Sequence, residues 1–196
     1  MKKVLIALAL VALAITPSFA AKTFTFATAS DTVGWTPAWN NGNVYGECTI
    51  TWSATGGRAN SGCMKVTIYK TIAGSGAVNV TFYPSASELI TGVDTIYSVW
   101  IKANSAIQPP WYWVQAFAFT TGWGWTATGI NGAATWTQYV NSQFGAGPTP
   151  GIGFQLPIDD NVAIGSSFEW VIDSIRVGSD SIPVELIDFS ATPTKK

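Results

Sequence analysis

Across 196 residues, ten Lys and Arg stand against eleven Asp and Glu, so only 11% of the chain is charged and its net charge is −1. That balance gives nucleic acid no footing, because proteins that bind it gather Lys and Arg on one face. Histidine is absent, which excludes Ser-His-Asp and Cys-His nucleophilic catalysis together with the usual zinc sites.

The chain opens on Met1-Lys2-Lys3, runs apolar over residues 4–15, and carries small side chains at Ser18 and Ala20. This order marks residues 1–20 as a secretory signal peptide cleaved after Ala20. The apolar run falls short of the roughly 20 residues that a membrane-spanning helix takes, and no later segment qualifies. Export to the extracellular space or cell surface, without membrane insertion, is therefore expected.

From residue 21 to 178 the hydrophobic pattern alternates in twos, with no amphipathic helical period. Strands are predicted over 23–27, 44–52, 64–69, 77–83, 95–103, 111–119, 123–127, 136–144, 151–156 and 168–177. Turn clusters such as Gly56-Gly57 and Gly145-Ala146-Gly147-Pro148 separate them. Many short strands punctuated in this way predict an all-β domain, a two-sheet antiparallel β-sandwich of the jelly-roll kind. Residues 179–196 read as an extended C-terminal tail.

Side chains two apart share a face of a strand. Tyr97, Val99 and Ile101 are assigned to the core, which turns Ser98, Trp100 and Lys102 outward. Ile152, Phe154 and Leu156 point inward and Gln155 outward. Strand 111–119 stays open, with Trp111, Trp113, Gln115, Phe117 and Phe119 on one side and Tyr112, Val114, Ala116 and Ala118 on the other. Cys48 and Cys63 are the only cysteines, and in an oxidising compartment a disulfide between them is expected. Cys48 shares core parity with Ile50 and Trp52, whereas Cys63 has the polar parity of Lys65 and Thr67. The bridge thus requires Cys63 to precede its regular strand.

The aromatic run Trp111-Tyr112-Trp113 and Trp123-Gly124-Trp125 is the main functional signal among ten tryptophans. Indole rings are rigid platforms for the flat C–H faces of sugar rings. In a strand, Trp111 and Trp113 point the same way about 7 Å apart, a spacing suited to one or two sugar units. Trp100, Trp111, Trp113, Trp123 and Trp125 are the candidate platforms, with Gln115, Gln155, Lys102 and Arg58 as polar partners. The alternative is that these rings pack between the sheets, as Trp35, Trp52, Trp136 and Trp170 are expected to do.

Several short motifs recur in order: Phe26 and Gly34-Trp35, then Ser61-Gly62 leading into Met64-Lys65-Val66-Thr67, then Tyr97-Ser98-Val99-Trp100-Ile101-Lys102-Ala103. Thr135-Trp136-Thr137 and the closing Trp170-Val171-Ile172-Asp173-Ser174-Ile175-Arg176-Val177 complete the series. Over residues 24–178 this order resembles the jelly-roll carbohydrate-binding modules of families four, nine and twenty-two. The resemblance implies a non-catalytic module that binds polysaccharide, often with a structural calcium ion. Asp173 matches the calcium-ligating Asp of the last strand in such modules, but Ala27 stands where they commonly carry a second, Glu ligand. A carboxylate that accepts hydrogen bonds from a neighbouring loop is the other reading of Asp173.

No catalytic site is predicted. Glycoside hydrolysis needs two carboxylates about 5–9.5 Å apart, and Glu169 and Asp173 on one strand are about 13 Å apart. The eleven acidic residues leave a pair across strands open, Glu47 with Glu169 for example. A competing reading is a structural subunit of a filament or surface layer, self-assembling into a homopolymer. In that reading Ile182, Val184 and Leu186 would be donated as a strand to a neighbouring copy.

Overall fold

The computed structural model describes residues 22–37, 46–74, 76–83, 96–104, 114–119, 125–130, 134–142, 150–158 and 161–178. The expected signal segment 1–20 and the tail 179–196 lie outside them. Eleven strands run in the order β1 (Lys22–Phe24), β2 (Trp35–Pro37), β3 (Gly46–Ser53), β4 (Cys63–Lys70), β5 (Gly76–Phe82) and β6 (Ile96–Ala103). They continue as β7 (Val114–Phe119), β8 (Trp125–Ile130), β9 (Thr137–Asn141), β10 (Ile152–Ile158) and β11 (Ser167–Gly178).

The strands form two antiparallel sheets. The first has the order β3-β4-β11-β6-β9, with β1 also paired to β11, and the second has the order β2-β5-β10-β7-β8. This is the jelly-roll β-sandwich expected from the alternation. Two details differ from expectation. The first strand stops at Phe24, ahead of Phe26, whose φ of 54° cannot continue an extended chain. The short strand β2 adds an edge to the second sheet by pairing with the end of β5.

The core fills the space between the sheets. Met64, Val66 and Ile68 of β4, Tyr97, Val99 and Ile101 of β6, and Trp170 and Ile172 of β11 come from the first sheet. They meet Val78 and Val80 of β5, Phe154 and Leu156 of β10, and Val114, Ala116 and Ala118 of β7. Burying a large apolar side chain contributes about 1.5–3 kcal/mol, so this layer supplies the main stabilisation. Polar side chains reach across it to backbone carbonyls of the second sheet. The Tyr97 hydroxyl donates to Gly153 O at 3.0 Å, Trp170 Nε1 to Pro157 O at 3.0 Å, and Asn141 Nδ2 to Ala116 O at 3.4 Å. Each such contact fixes one sheet against the other at a chosen register.

The expected disulfide is not formed: both cysteines are free thiols. Cys63 does not precede its strand but begins β4, opposite Ser53, whereas Cys48 lies opposite Ile68. Five residues of β4 therefore separate the two positions, about 17 Å at the strand rise, against about 4.4–6.8 Å between the Cα atoms of a bridged pair. Their opposite parity was legible in the sequence, and it is what the fold keeps.

Candidate functional site

The second sheet resolves the ambiguity of strand 111–119. Val114, Ala116 and Ala118 belong to the core, so Gln115, Phe117 and Phe119 face away from it. On the same outer face, register places Gln155 of β10 between Asn79 of β5 and Gln115 of β7. Three amide side chains thus form a row across three adjacent strands, about 10 Å from end to end. Gln155 Nε2 donates to Asn79 Oδ1 at 3.1 Å, and all three side chains are half-buried. An amide offers both a donor and an acceptor, the pairing that a sugar hydroxyl satisfies.

Two residues further along, Gly153 stands between Thr81 and Phe117. A Cβ at Gly153 would collide with the Phe117 ring and the Val80 carbonyl, so glycine is what lets that ring lie down on the sheet. Phe117 and Phe119 pack edge to face with centroids 5.5 Å apart, and Phe119 stacks on Tyr83 at 6.3 Å with 12° between planes. Although both phenylalanines are outside the core between the sheets, they are only 1% and 3% exposed, while Tyr83 is 40% exposed. Beyond the amide row, the outer face therefore holds a covered aromatic cluster, of which Tyr83 reaches the surface.

None of the strands β2, β5, β7, β8 and β10 contains Asp, Glu, Lys or Arg. In the first sheet, by contrast, Lys65 pairs with Glu169 at 3.3 Å. Lys102 Nζ sits 4.9 Å above the Trp136 ring, and Arg58 lies 3.8 Å above that of Trp100.

The expected site residues accordingly divide. Gln115 and Gln155 meet on the second sheet. Trp100, with Lys102 and Arg58, stands on the outer side of the first, and the guanidinium covers a face of its indole. Trp111, Trp113 and Trp123 lie outside the described residues, and Trp125 is placed by backbone register alone, opposite Phe119. Of the four tryptophans expected to pack, Trp35 and Trp170 are core and Trp52 packs against it, but Trp136 is half-exposed beneath Lys102. Asn79, Phe117, Phe119 and Tyr83 were not singled out from sequence. The alternation of Ala77-Val78-Asn79-Val80-Thr81 carries the signal for Asn79, which shares the polar parity of Thr81.

Asp173 is 2% exposed. Its Oδ2 accepts the Arg58 N–H at 2.7 Å and the Ser61 hydroxyl at 3.0 Å, and its Oδ1 accepts the Ser174 hydroxyl at 3.0 Å. Calcium takes six to eight oxygen ligands, whereas the groups aimed at this carboxylate are hydrogen donors. Among the described residues, no three of Asp, Glu and Cys gather as a metal-ligand group. The calcium implied by the sequence resemblance does not fit these residues. Of the cross-strand carboxylates Glu47 and Glu169, the second is paired with Lys65 at 3.3 Å. They lie on β3 and β11, two strands and two residues of register apart, about 12 Å at Cα.

No family model matches the sequence, and no curated protein does. Solved structures match in shape. A Clostridium thermocellum xylanase structure, comprising a CBM22 module and a GH10 module with xylohexaose, aligns with a TM-score of 0.53 at 14% identity. The alignment covers 85% of this chain and 29% of that one. The CBM22 xylan-binding domain of a Paenibacillus barcinonensis xylanase aligns with a TM-score of 0.50 at 8% identity, covering 80% of this chain and 92% of that domain. The fold is that of carbohydrate-binding modules. Family 22 is one of those whose motif order the sequence resembles.

Proposed function

We propose that the protein is an exported, non-catalytic module that binds an uncharged polysaccharide on the outer face of the second sheet. The observation that carries this reading is the row Asn79–Gln155–Gln115, with the Tyr83 ring exposed beyond it, on a sheet whose strands hold no charge. Amides read hydroxyls without a charge to desolvate, and strands that carry no Asp, Glu, Lys or Arg give no preference for an ionic ligand. Trp111, Trp113, Trp123 and Trp125 belong to the same reading, since they flank β7 and β8 in sequence and supply the stacking platforms. The likeness to xylan-binding modules supports the fold, and the signal-like segment 1–20 supports action outside the cell.

Affinity electrophoresis through gels containing xylan, glucomannan or mixed-linkage β-glucan tests the proposal. Gln155→Ala and Gln115→Ala should each weaken retardation about fivefold, the effect of one net hydrogen bond of about 1 kcal/mol. Trp111→Ala combined with Trp113→Ala should abolish it, and Trp100→Ala, on the other sheet, should leave it unchanged. No retardation by any of these polymers, or equal retardation of the Gln115/Gln155 double variant, would sink the proposal.

A further inference from the structure

Among the described residues, four other than glycine adopt a left-handed φ: Phe26 at 54°, Ala59 at 50°, Asn60 at 63° and Ser174 at 49°. Such conformations persist only where the surroundings over-determine them. All four surround one loop, residues 54–62, which joins β3 to β4 and rests on the bulge of β11. Inside the loop, Gly57 N–H donates to Ser61 O at 2.9 Å and Ser61 N–H to Arg58 O at 3.0 Å, while the Ser61 hydroxyl shares its one proton between Arg58 O at 2.6 Å and Asp173 Oδ2 at 3.0 Å. Phe26 joins from the side: its carbonyl accepts the Trp52 indole N–H at 2.8 Å and packs on Gly62, where a side chain would have no room.

The loop has no apolar residue buried in the core to hold it. Asp173 ties it to the sandwich through the Arg58 N–H and the Ser61 hydroxyl, alongside the Arg58 guanidinium lying on Trp100 of β6 and the Cys63 thiol donating to Thr55 O at 3.5 Å. The bulge between Asp173 and Arg176 lets Ser174 turn its own hydroxyl onto the second carboxylate oxygen. Hydrogen bonds to an ionised acceptor are roughly twice as strong as neutral ones, so a single carboxylate can fix three donors in this geometry.

The geometry points to a metal-independent clasp, in which the Asp173 carboxylate fastens loop 54–62 to β11 in place of a divalent cation. The loop ends held by it are those that enter β4 and leave β3, so the clasp fixes the edge of the first sheet. Asp173→Asn keeps the shape but removes the charge, so the bonds from the Arg58 N–H and the Ser61 hydroxyl go to a neutral acceptor, and the group facing Ser174 becomes a donor.

The test combines thermal unfolding with limited trypsin digestion of the whole protein, because the Arg58–Ala59 bond is a trypsin site inside the loop. The wild type should resist cleavage at Arg58, and neither EDTA nor millimolar calcium should alter that resistance or the Tm. Asp173→Asn should lower the Tm by about 5 °C or more and open the Arg58 site to trypsin. Ser61→Ala, which removes one donor and keeps the carboxylate, should give a smaller shift and slower cleavage, and serves if Asp173→Asn fails to fold. Cleavage of the wild type in EDTA, a calcium-dependent rise in Tm, or an Asp173→Asn protein as resistant and as stable as the wild type would overturn the clasp.

Discussion

Cys48 and Cys63 lie on opposite faces of the first sheet, and each is insulated differently. Cys48 packs with Ile50 and Trp52 against the core, and burial pushes its thiol up from 9.0 to about 11. Cys63 points to the other side but is covered by the clasped loop, donating to Thr55 O at 3.5 Å, and burial raises its pKa as well. Burial moves the Tyr139 hydroxyl in the same direction, from 10.0 to about 12. In each case the folded state keeps a proton that the unfolded chain releases, so the stability these groups contribute is intact below about pH 9. It is lost progressively as pH rises towards 11 and 12. Thermal unfolding followed from pH 7 to 11 should therefore show Tm falling above pH 9. At pH 8 a thiol reagent should modify the native protein slowly and find two thiols on denaturation without reductant. A denatured protein with no reactive thiol would mean the bridge exists. At this scale the sequence was legible where a residue's parity decides its environment, as for Gln155 and for the two cysteines. It was silent on partners such as Arg58 for Trp100, because they arrive from a loop whose course the alternation does not encode.

Among the elements, β10 connects the core to the candidate site. Its inner parity, Ile152, Phe154 and Leu156, is wholly apolar, and its outer parity alternates Gly153 with Gln155 and Pro157. That contrast made its two faces readable in advance. β7 was unreadable by the same rule because both of its parities are apolar. Its small residues Ala116 and Ala118 are the ones that face the opposite layer, where Tyr97 of β6 and Tyr139 of β9 are large buried side chains. Packing volume across a sandwich is a long-range quantity, and alternation within one strand does not carry it. Gly153→Ala should cost about 1–3 kcal/mol by overpacking, and in the same protein should weaken glycan retardation by lifting Phe117. Tyr97→Phe, which removes the hydroxyl that reaches Gly153 O across the core, should lower stability by about 1 kcal/mol, a Tm shift of about 2–4 °C, and leave retardation intact. Denaturant melts and affinity gels on the two variants separate these outcomes.

The strands of the two sheets divide their few charges unevenly. The net charge was readable from composition, but its distribution was not, since strands of the two sheets interleave along the chain. Only the pairing order places β2, β5, β7, β8 and β10 together. Binding through that sheet should be nearly insensitive to ionic strength, changing less than about twofold between 0.05 and 1 M NaCl, because screening acts only on charges. A steep salt dependence, measured by the same affinity gels, would assign the ligand to the first sheet instead.

This segregation bears on what happens at high coverage. On the proposed function, molecules lying on a neutral fibre by the second sheet would turn Lys65, Lys102, Glu169 and Arg176 of the first towards the medium. The fibre then acquires an electrokinetic character it did not have, and its mobility in an applied field would follow the adsorbed amount. Neighbouring molecules would sense one another through those groups while their hold on the fibre stayed indifferent to electrolyte. Salt would thus tune how densely the layer packs without tuning how firmly each molecule adheres.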